Sequence, residues 1–236
     1  MKTRIFLDSG DPGETKELIE KLGSLDGQTT NPTLVSKHPE AKKRLEEEKK
    51  FTQDEMYGFY KDVAKELSAL IPKGSISLEV YADHETTTEK MVEQALVMYE
   101  WIPNAHIKLP TTIAGLTAAE QLIKKGMRVN MTLVFSQAQA AAVYSATRGA
   151  AKGNVFVSPF IGRLDDKGEN GMDLIQNILK MYHAGDGHVE VLTASVRNVD
   201  HLLQALKIES DIITAGHTVL SEWADAGKKE PDEHFK

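Results

Sequence analysis

The chain has 236 residues, 41% of them hydrophobic, which is enough for one sizeable domain with a buried core. Its formal net charge of -7 gives no basic surface for nucleic acid or an anionic membrane, and the absence of cysteine excludes disulfides and thiolate metal sites. The first apolar run, residues 5–7, is too short for a signal-peptide core, and no run approaches the ~18 residues of a membrane helix. We therefore expect a cytoplasmic globular protein that binds neither nucleic acid nor membrane.

Short apolar runs alternate with longer helical stretches along the chain. The runs predict strands at residues 4–8, 27–31, 75–80, 106–109, 128–133, 155–158, 190–194 and 211–214. Apolar residues at helical spacing predict helices at 14–22, 88–101, 113–124, 137–146, 173–182, 200–207 and 218–226. The charged cluster 42–50 predicts a solvated helix face, and residues 228–236 a flexible polar tail.

This alternation predicts the fold class. Eight strands, most of them followed by a helix, in a chain close to the typical length of ~250 residues indicate a single (β/α)8 barrel over residues 1–236. The alternative is a doubly wound parallel sheet. That fold would place a glycine-rich phosphate loop after the first strand, and the sequence has none there.

Lys108 lies in an apolar, strand-like run that breaks at Pro110. Burial favours the neutral form of an amine, and neutral amines attack carbonyls to form Schiff bases. Taken alone, this residue is better explained as an ordinary lysine that reaches solvent from a strand end. The residues at the other strand ends change that interpretation.

Seven successive predicted strands end in titratable or hydrogen-bonding side chains. In chain order they are Asp8, Thr30 and Asn31, Glu79, Lys108, Asn130 and Thr132, Ser158, and Ser195 with Arg197. In a (β/α)8 barrel the catalytic groups lie at the carboxyl ends of the strands and project into one mouth. Three ionisable groups close to a packed core are costly unless they have a task. The pattern therefore favours an active site over a purely structural explanation.

A lysine beside two carboxylates suits imine chemistry, because a carboxylate can move protons during carbinolamine formation and carbon–carbon cleavage. Asn31, Asn130 and Ser158 offer neutral donors and acceptors for sugar hydroxyls. Two guanidinium groups, those of Arg163 and Arg197, match phosphate geometry, and the Ser195 hydroxyl is close in sequence to the second.

No metal is predicted. The eight histidines show no metal-ligand spacing. The acidic pair Asp165 and Asp166 could bind a cation, but adjacent acids in a turn are more often solvated or capping groups.

The segments that carry these residues resemble the transaldolase family, in particular its small-subunit branch. The matching segments are residues 6–8, 26–34, 77–80, 107–112, 128–136, 158–166 and 194–198. They run in register from about residue 4 to residue 220. Two of them are highly specific in combination: Thr29-Thr30-Asn31-Pro32 and Ser158-Pro159-Phe160-Ile161-Gly162-Arg163.

The resemblance implies a (β/α)8 barrel that needs no cofactor and belongs to the non-oxidative pentose phosphate pathway. Its members move a dihydroxyacetone unit from sedoheptulose 7-phosphate or fructose 6-phosphate to glyceraldehyde 3-phosphate or erythrose 4-phosphate. The implied catalytic residues are Lys108 for the Schiff base, Asp8 for proton transfer at cleavage, and Glu79 with Thr132 for a catalytic water. The implied substrate-binding residues are Thr30, Asn31, Asn130, Ser158 and Phe160, with Arg163, Ser195 and Arg197 for the phosphate.

Two alternatives remain open. A fructose-6-phosphate aldolase would share the barrel and the lysine, although by resemblance that branch carries glutamine at the position of Glu79 and tyrosine at that of Phe160. The other alternative is a non-catalytic sugar-phosphate-binding homologue, but such a protein has no physical need to keep Asp8, Glu79 and Lys108 together.

Two regions depart from the small-subunit pattern. Residues 41–60 form a longer and more charged connection, and the segment after Thr218 lacks the clear final helix that small family members pack against a neighbouring subunit. We expect a homo-oligomer, with dimer, pentamer and decamer all open.

Overall fold

The structure is a computed structural model that describes residues 3–47 and 51–234. Within these residues, parallel strands pair in chain order and close into a barrel, with the first strand hydrogen-bonded to the last. The strands are β1 (Arg4–Asp8), β2 (Gly27–Thr29), β3 (Ser75–Glu79), β4 (Ala105–Pro110), β5 (Val129–Val134), β6 (Val155–Pro159), β7 (Val189–Val196) and β8 (Ile212–Ala215). The predicted (β/α)8 barrel is confirmed, and each predicted strand end lies within two residues of the observed one.

Helices surround the barrel. They are α1 (Pro12–Leu22), α2 (Pro32–Val35), α3 (Pro39–Glu46), α4 (Gln53–Leu70), α5 (Thr88–Tyr99), α6 (Ile113–Lys124), α7 (Gln137–Ala146), α8 (Ile161–Asp165), α9 (Gly171–His183), α10 (Val199–Lys207), α11 (His217–Asp225) and α12 (Pro231–His234). All seven predicted helices are confirmed. None of the helices in the described ranges combines the length and the hydropathy needed to cross a membrane.

Side-chain caps start many of these helices directly after a strand. Thr112 accepts a hydrogen bond from the backbone of Gly115 at the start of α6, and Ser136 accepts one from Gln139 at the start of α7. Such caps satisfy backbone N–H groups that lack a partner in the first helical turn. Because all the strands are parallel, their carboxyl ends lie together at one mouth of the barrel.

The segment between β2 and β3 is more helical than predicted. The charged cluster lies on α3 as far as Glu46, as predicted, while residues 48–50 fall outside the described ranges. The prediction leaves out α4, although Thr52 and Glu55 form a capping box at its start. That box, together with the helical spacing of the apolar residues 60, 63, 64 and 67 that follow it, could have predicted α4 from the sequence.

The interior of the barrel is layered, because side chains two positions apart point to the same side of a strand. The lower layer is apolar and aromatic, with Phe6 packed edge-on against Phe156 at 6.0 Å and His106 stacked on Phe156 at 4.1 Å. Burial lowers the pKa of His106 to about 3, so its ring is neutral. Two positions further along β1 and β4 stand Asp8 and Lys108, in a polar layer above this floor.

The segment after Thr218 is helical as far as Asp225, in α11, which corrects the expectation that it lacks a clear helix. The residues beyond α11 pack through a few contacts. Trp223 donates its indole N–H to the carbonyl of Lys229 at 3.1 Å, and α12 adds one helical turn beyond it. The flexibility predicted for residues 228–236 stays a prediction.

Candidate active site

The mouth of the barrel holds two adjoining cavities of about 450 and 470 Å³. Both are lined by residues that include Lys108, Asn31, Phe160 and Arg163. Asp8 borders the first cavity only, and Glu79 borders the second only. Lys108 therefore shares one cavity with each of the two carboxylates.

Lys108 and Glu79 form an ion pair at the ends of neighbouring strands. The two residues are opposite one another in the β3–β4 register, and the Lys108 Nζ lies 2.8 Å from the Glu79 Oε2. Lys108 is only 4% exposed, so its amine is largely shielded from bulk water. At hydrogen-bond distance, the carboxylate can accept a proton from the ammonium group and leave a nucleophilic amine.

Asp8 is oriented by two threonine hydroxyls. The Thr29 hydroxyl donates to the Asp8 Oδ1 at 2.6 Å, and the Thr214 hydroxyl lies 2.7 Å from that of Thr29. Because a carboxylate only accepts, the Thr29 proton points to Asp8, and Thr214 must donate to Thr29. Neither Thr29 nor Thr214 was predicted as a site residue from the sequence. Their positions at or near the ends of β2 and β8 could have indicated that they belong to the site.

A second polar network crosses the barrel from β6 to β3. The Ser158 hydroxyl donates to the Asn130 Oδ1 at 2.7 Å, and the Asn130 amide donates to the Ser77 hydroxyl at 3.0 Å. These bonds fix the orientation of the Asn130 amide. Thr132, two positions beyond Asn130 on β5, is 1% exposed, and its hydroxyl has no hydrogen-bond partner among the described residues.

A bulge in β7 directs Ser195 into the mouth. The β7–β8 register shifts between Thr193 and Val196, and Ser195 has a left-handed backbone with φ of 60°. Such bulges occur next to active sites, where they redirect a side chain. Ser195 lines the same cavity as Asp8 and Lys108.

Arg197 passes close over the start of α8. A Cβ at Gly162 would lie 2.5 Å from the Arg197 Nε and 2.4 Å from the Ser195 carbonyl oxygen, so only glycine leaves room for this arginine. The Arg197 guanidinium is held from outside by Asp166 at 3.0 Å. Arg163 lies 5.7 Å from the ring centroid of Phe160 and lines both cavities.

Lys37, just beyond α2, adds an exposed cation to the lining of both cavities. It was not predicted from the sequence, because its segment carries no strand end.

Both acids of the pair in the 163–171 turn bind protein groups: Asp165 accepts a hydrogen bond from the backbone of Gly171, and Asp166 forms an ion pair with Arg197. Across residues 3–47 and 51–234, no group of three acidic or histidine side chains is arranged to hold a metal ion.

The structure does not bring every predicted residue to the cavity. Asn31 lines it while its Oδ1 caps α2 by accepting from Leu34 at 2.8 Å. Thr30 points away from it, and its hydroxyl is engaged by Tyr60 and by the Ser77 carbonyl. Asn130 and Thr132 are buried, and neither lines the two mouth cavities.

The fold and the lysine–carboxylate mouth define the class: a (β/α)8 barrel enzyme of aldolase or transaldolase type. The chain belongs to the transaldolase/fructose-6-phosphate aldolase family, whose model it matches over residues 5–236. A probable transaldolase of Dehalococcoides mccartyi is 38% identical over 219 residues, covering 93% of this chain and 89% of that protein. A probable transaldolase of Brucella ovis is 37% identical over 243 residues, covering 96% and 99%.

Solved structures with much lower identity share the fold. Thiamine phosphate pyrophosphorylase from Pyrococcus furiosus aligns with a TM-score of 0.58 at 13% identity, covering 98% of this chain and 94% of that one. The 3-hexulose-6-phosphate synthase from Salmonella typhimurium aligns with a TM-score of 0.56 at 10% identity, covering 98% and 93%. These likenesses concern the barrel alone.

Proposed function

We propose that the chain is a transaldolase that moves a dihydroxyacetone unit between sugar phosphates through a Schiff base on Lys108. The observation that carries the proposal is the buried Lys108 amine, in contact with Glu79 and facing the cavity that Asp8 also lines. The donors would be fructose 6-phosphate or sedoheptulose 7-phosphate, and the acceptors erythrose 4-phosphate or glyceraldehyde 3-phosphate. The reaction is that of the non-oxidative pentose phosphate pathway.

In the first half of the reaction, Glu79 takes a proton from the Lys108 ammonium, and the neutral amine attacks C2 of the ketose. The carbinolamine then loses its hydroxyl as water, and the imine forms. We assign the water that shuttles these protons to Glu79 and Thr132. The buried Thr132 hydroxyl, which has no partner among the described residues, supports this assignment.

In the second half, the Asp8 carboxylate takes the proton of the C4 hydroxyl, and the bond between C3 and C4 breaks. The electron pair moves into the protonated imine and gives an enamine, while the shortened aldose leaves as an aldehyde. Attack of the enamine on the next aldehyde reverses these steps, and the protonated Asp8 returns its proton to the new hydroxyl. The Thr29 hydroxyl supports this role by orienting one Asp8 oxygen.

The hydroxyls and the phosphate of the substrate would be bound on the remaining walls of the mouth. Asn31 and Ser158 supply neutral donors and acceptors for the hydroxyls, and Asn130 orients Ser158 from below. The phosphate would be bound by the cations and the hydroxyl that share one cavity: Arg163, Arg197 and Ser195.

Arg197→Ala should raise KM for fructose 6-phosphate by about tenfold or more, because a charged hydrogen bond contributes ~1.5–3 kcal/mol. KM for unphosphorylated fructose should change little. Steady-state kinetics on both substrates measure the difference. Arg148→Ala is the matched control, since Arg148 is exposed in the segment between α7 and β6 at the other end of the barrel. Equal changes in KM for both sugars would place Arg197 outside the phosphate site.

Transfer and simple cleavage differ in the fate of the enamine. Release of dihydroxyacetone requires protonation of the enamine and then hydrolysis by water. Phe160 lines both cavities and offers no proton donor or water anchor there, whereas a tyrosine would offer both. The enamine should therefore persist until an aldose phosphate arrives. Rapid exchange between fructose 6-phosphate and erythrose 4-phosphate, with slow cleavage when no acceptor is present, is the expected behaviour.

Phe160→Tyr should accordingly raise the rate of dihydroxyacetone release at the expense of transfer. A coupled assay for free dihydroxyacetone, with and without erythrose 4-phosphate, measures the partition. Phe135→Tyr is the control, because its ring lies 5.9 Å from that of Phe160 but lines neither mouth cavity. If the unaltered protein releases dihydroxyacetone as fast as it transfers it, the chain is a fructose-6-phosphate aldolase instead.

A further inference from the structure

A tyrosine outside the active-site cavity contacts the backbone of the proposed proton acceptor. Tyr60 lies on α4, the helix between β2 and β3, and its side-chain oxygen accepts a hydrogen bond from the Glu79 N–H at 2.9 Å. The Thr30 hydroxyl lies 2.6 Å from the same oxygen and 2.7 Å from the Ser77 carbonyl oxygen. The contacts thus join α4 to the ends of two strands.

The proton positions in this chain of contacts are determined. The Ser77 carbonyl can only accept, so the Thr30 hydroxyl donates to it. The Thr30 hydroxyl has only this one proton, so in its contact with Tyr60 it is the Tyr60 hydroxyl that donates, while the Tyr60 oxygen accepts from Glu79. One direction therefore runs through every link, from Glu79 to Tyr60, to Thr30 and to Ser77.

Tyr60 replaces a partner that the sheet does not supply. The last register pair between β2 and β3 is Thr29 with Ser77, and beyond it the chain turns away into α2. The Glu79 N–H lies past that pair, where the ladder has no strand to accept its hydrogen bond. Tyr60 is 4% exposed and Thr30 is fully buried, so water does not readily substitute for the tyrosine. Burial also raises the pKa of Tyr60, which keeps its hydroxyl neutral.

We propose that Tyr60 is a positioning residue for Glu79 and that Thr30 holds Tyr60 in place. We call the hydrogen-bonded pair of Tyr60 and Thr30 the relay. The relay fixes the end of β3 so that the Glu79 carboxylate meets the Lys108 amine at hydrogen-bond distance. This inference rests on the proposed function, because it assigns the relay to the step that Glu79 performs. Thr30 then acts through Tyr60 and does not contact the substrate.

Tyr60→Phe removes one oxygen and keeps the ring that packs edge-on against Trp101 at 5.7 Å. It should lower kcat about tenfold and leave KM within twofold, since a small misplacement of a catalytic group slows chemistry without removing binding contacts. The rate of borohydride-trapped imine formation from fructose 6-phosphate should fall by the same factor. A role confined to stability would lower the melting temperature but leave the kcat of the folded protein unchanged.

Tyr57→Phe is the matched control. Tyr57 lies one turn earlier on α4, packs its ring against the same Trp101 at 5.6 Å, and hydrogen-bonds to Gln94 at 2.7 Å instead of to the active site. Its kcat and trapping rate should stay within twofold of the unaltered protein. A second pair tests the relay without altering Tyr60: Thr30→Val should lower kcat, and Thr30→Ser, which keeps the hydroxyl, should restore it.

The two losses should not multiply, because the residues act as one unit. Tyr60→Phe combined with Thr30→Val should be no slower than Tyr60→Phe alone. Equal kcat for Tyr60→Phe and Tyr57→Phe would overturn the inference, and so would a change in KM alone. Trapping at Lys108 in the unaltered protein would still uphold the proposed function. If Tyr60→Phe fails to fold, the two Thr30 variants decide, and equal kcat for both overturns it. Absence of label on the unaltered protein overturns both proposals.

Discussion

Lys108→Ala should abolish transfer from fructose 6-phosphate to erythrose 4-phosphate, down to the detection limit of a coupled assay. Without the amine no imine forms, and the electron pair of the breaking C3–C4 bond has no acceptor. The substitution removes the ion pair with Glu79. The fold should survive, because the Glu79 side chain is 21% exposed and its carboxylate stays partly solvated without the lysine. Circular dichroism and the melting temperature check that the variant protein is folded.

Lys37→Ala is the sharpest control for this loss, because Lys37 lines the same two cavities. It should retain turnover and imine trapping, although substrate affinity can change. If Lys37→Ala abolishes trapping and Lys108→Ala does not, the nucleophile has been assigned to the wrong lysine of the mouth.

Asp8→Asn should lower kcat by ~10²–10⁴, the usual contribution of a general acid or base. The asparagine keeps an oxygen that can accept from Thr29, so the local hydrogen bond at 2.6 Å should survive while the ability to take a proton is lost. Imine formation precedes the step assigned to Asp8, so borohydride should still trap the substrate on the variant. Rapid-quench kinetics with radiolabelled fructose 6-phosphate separate the two steps.

Asp11→Asn controls for the lost negative charge. Asp11 lies close in sequence, lines neither mouth cavity, and caps α1 by accepting from Gly13 at 2.7 Å, a role that asparagine also performs. Its kcat should match that of the unaltered protein. A folded Asp8→Asn variant that no longer traps the imine would show that Asp8 acts before carbon–carbon cleavage.

The barrel was predictable because its local signals agree with its packing. Strands buried on both faces appear as short apolar runs, as in β4, where all six residues are buried. The helix α6 begins after a threonine cap and carries regular apolar spacing, so its bounds were predicted to the residue. By contrast, α4 was left out because the charged residues before it obscured the start of its apolar pattern.

The strand-end rule identified the lysine and the carboxylates, since parallel strands bring their carboxyl ends to one mouth. It could not tell which side of a strand a terminal residue faces. Thr30 and Thr29 are adjacent, yet Thr29 faces Asp8 in the cavity and Thr30 faces α4. Nor could it foresee the bulge at Ser195, because a backbone with φ of 60° at a serine has no sequence signature of its own.

The most direct test of the Schiff-base mechanism is reduction with borohydride in the presence of fructose 6-phosphate, followed by peptide mass mapping of the unaltered protein. Trapping adds the reduced sugar or dihydroxyacetone unit to one lysine, and we expect that lysine to be Lys108. The same treatment without sugar, and with Lys108→Ala, should give no adduct. An adduct on any other lysine, or none at all under conditions of measurable turnover, would contradict the Schiff-base mechanism.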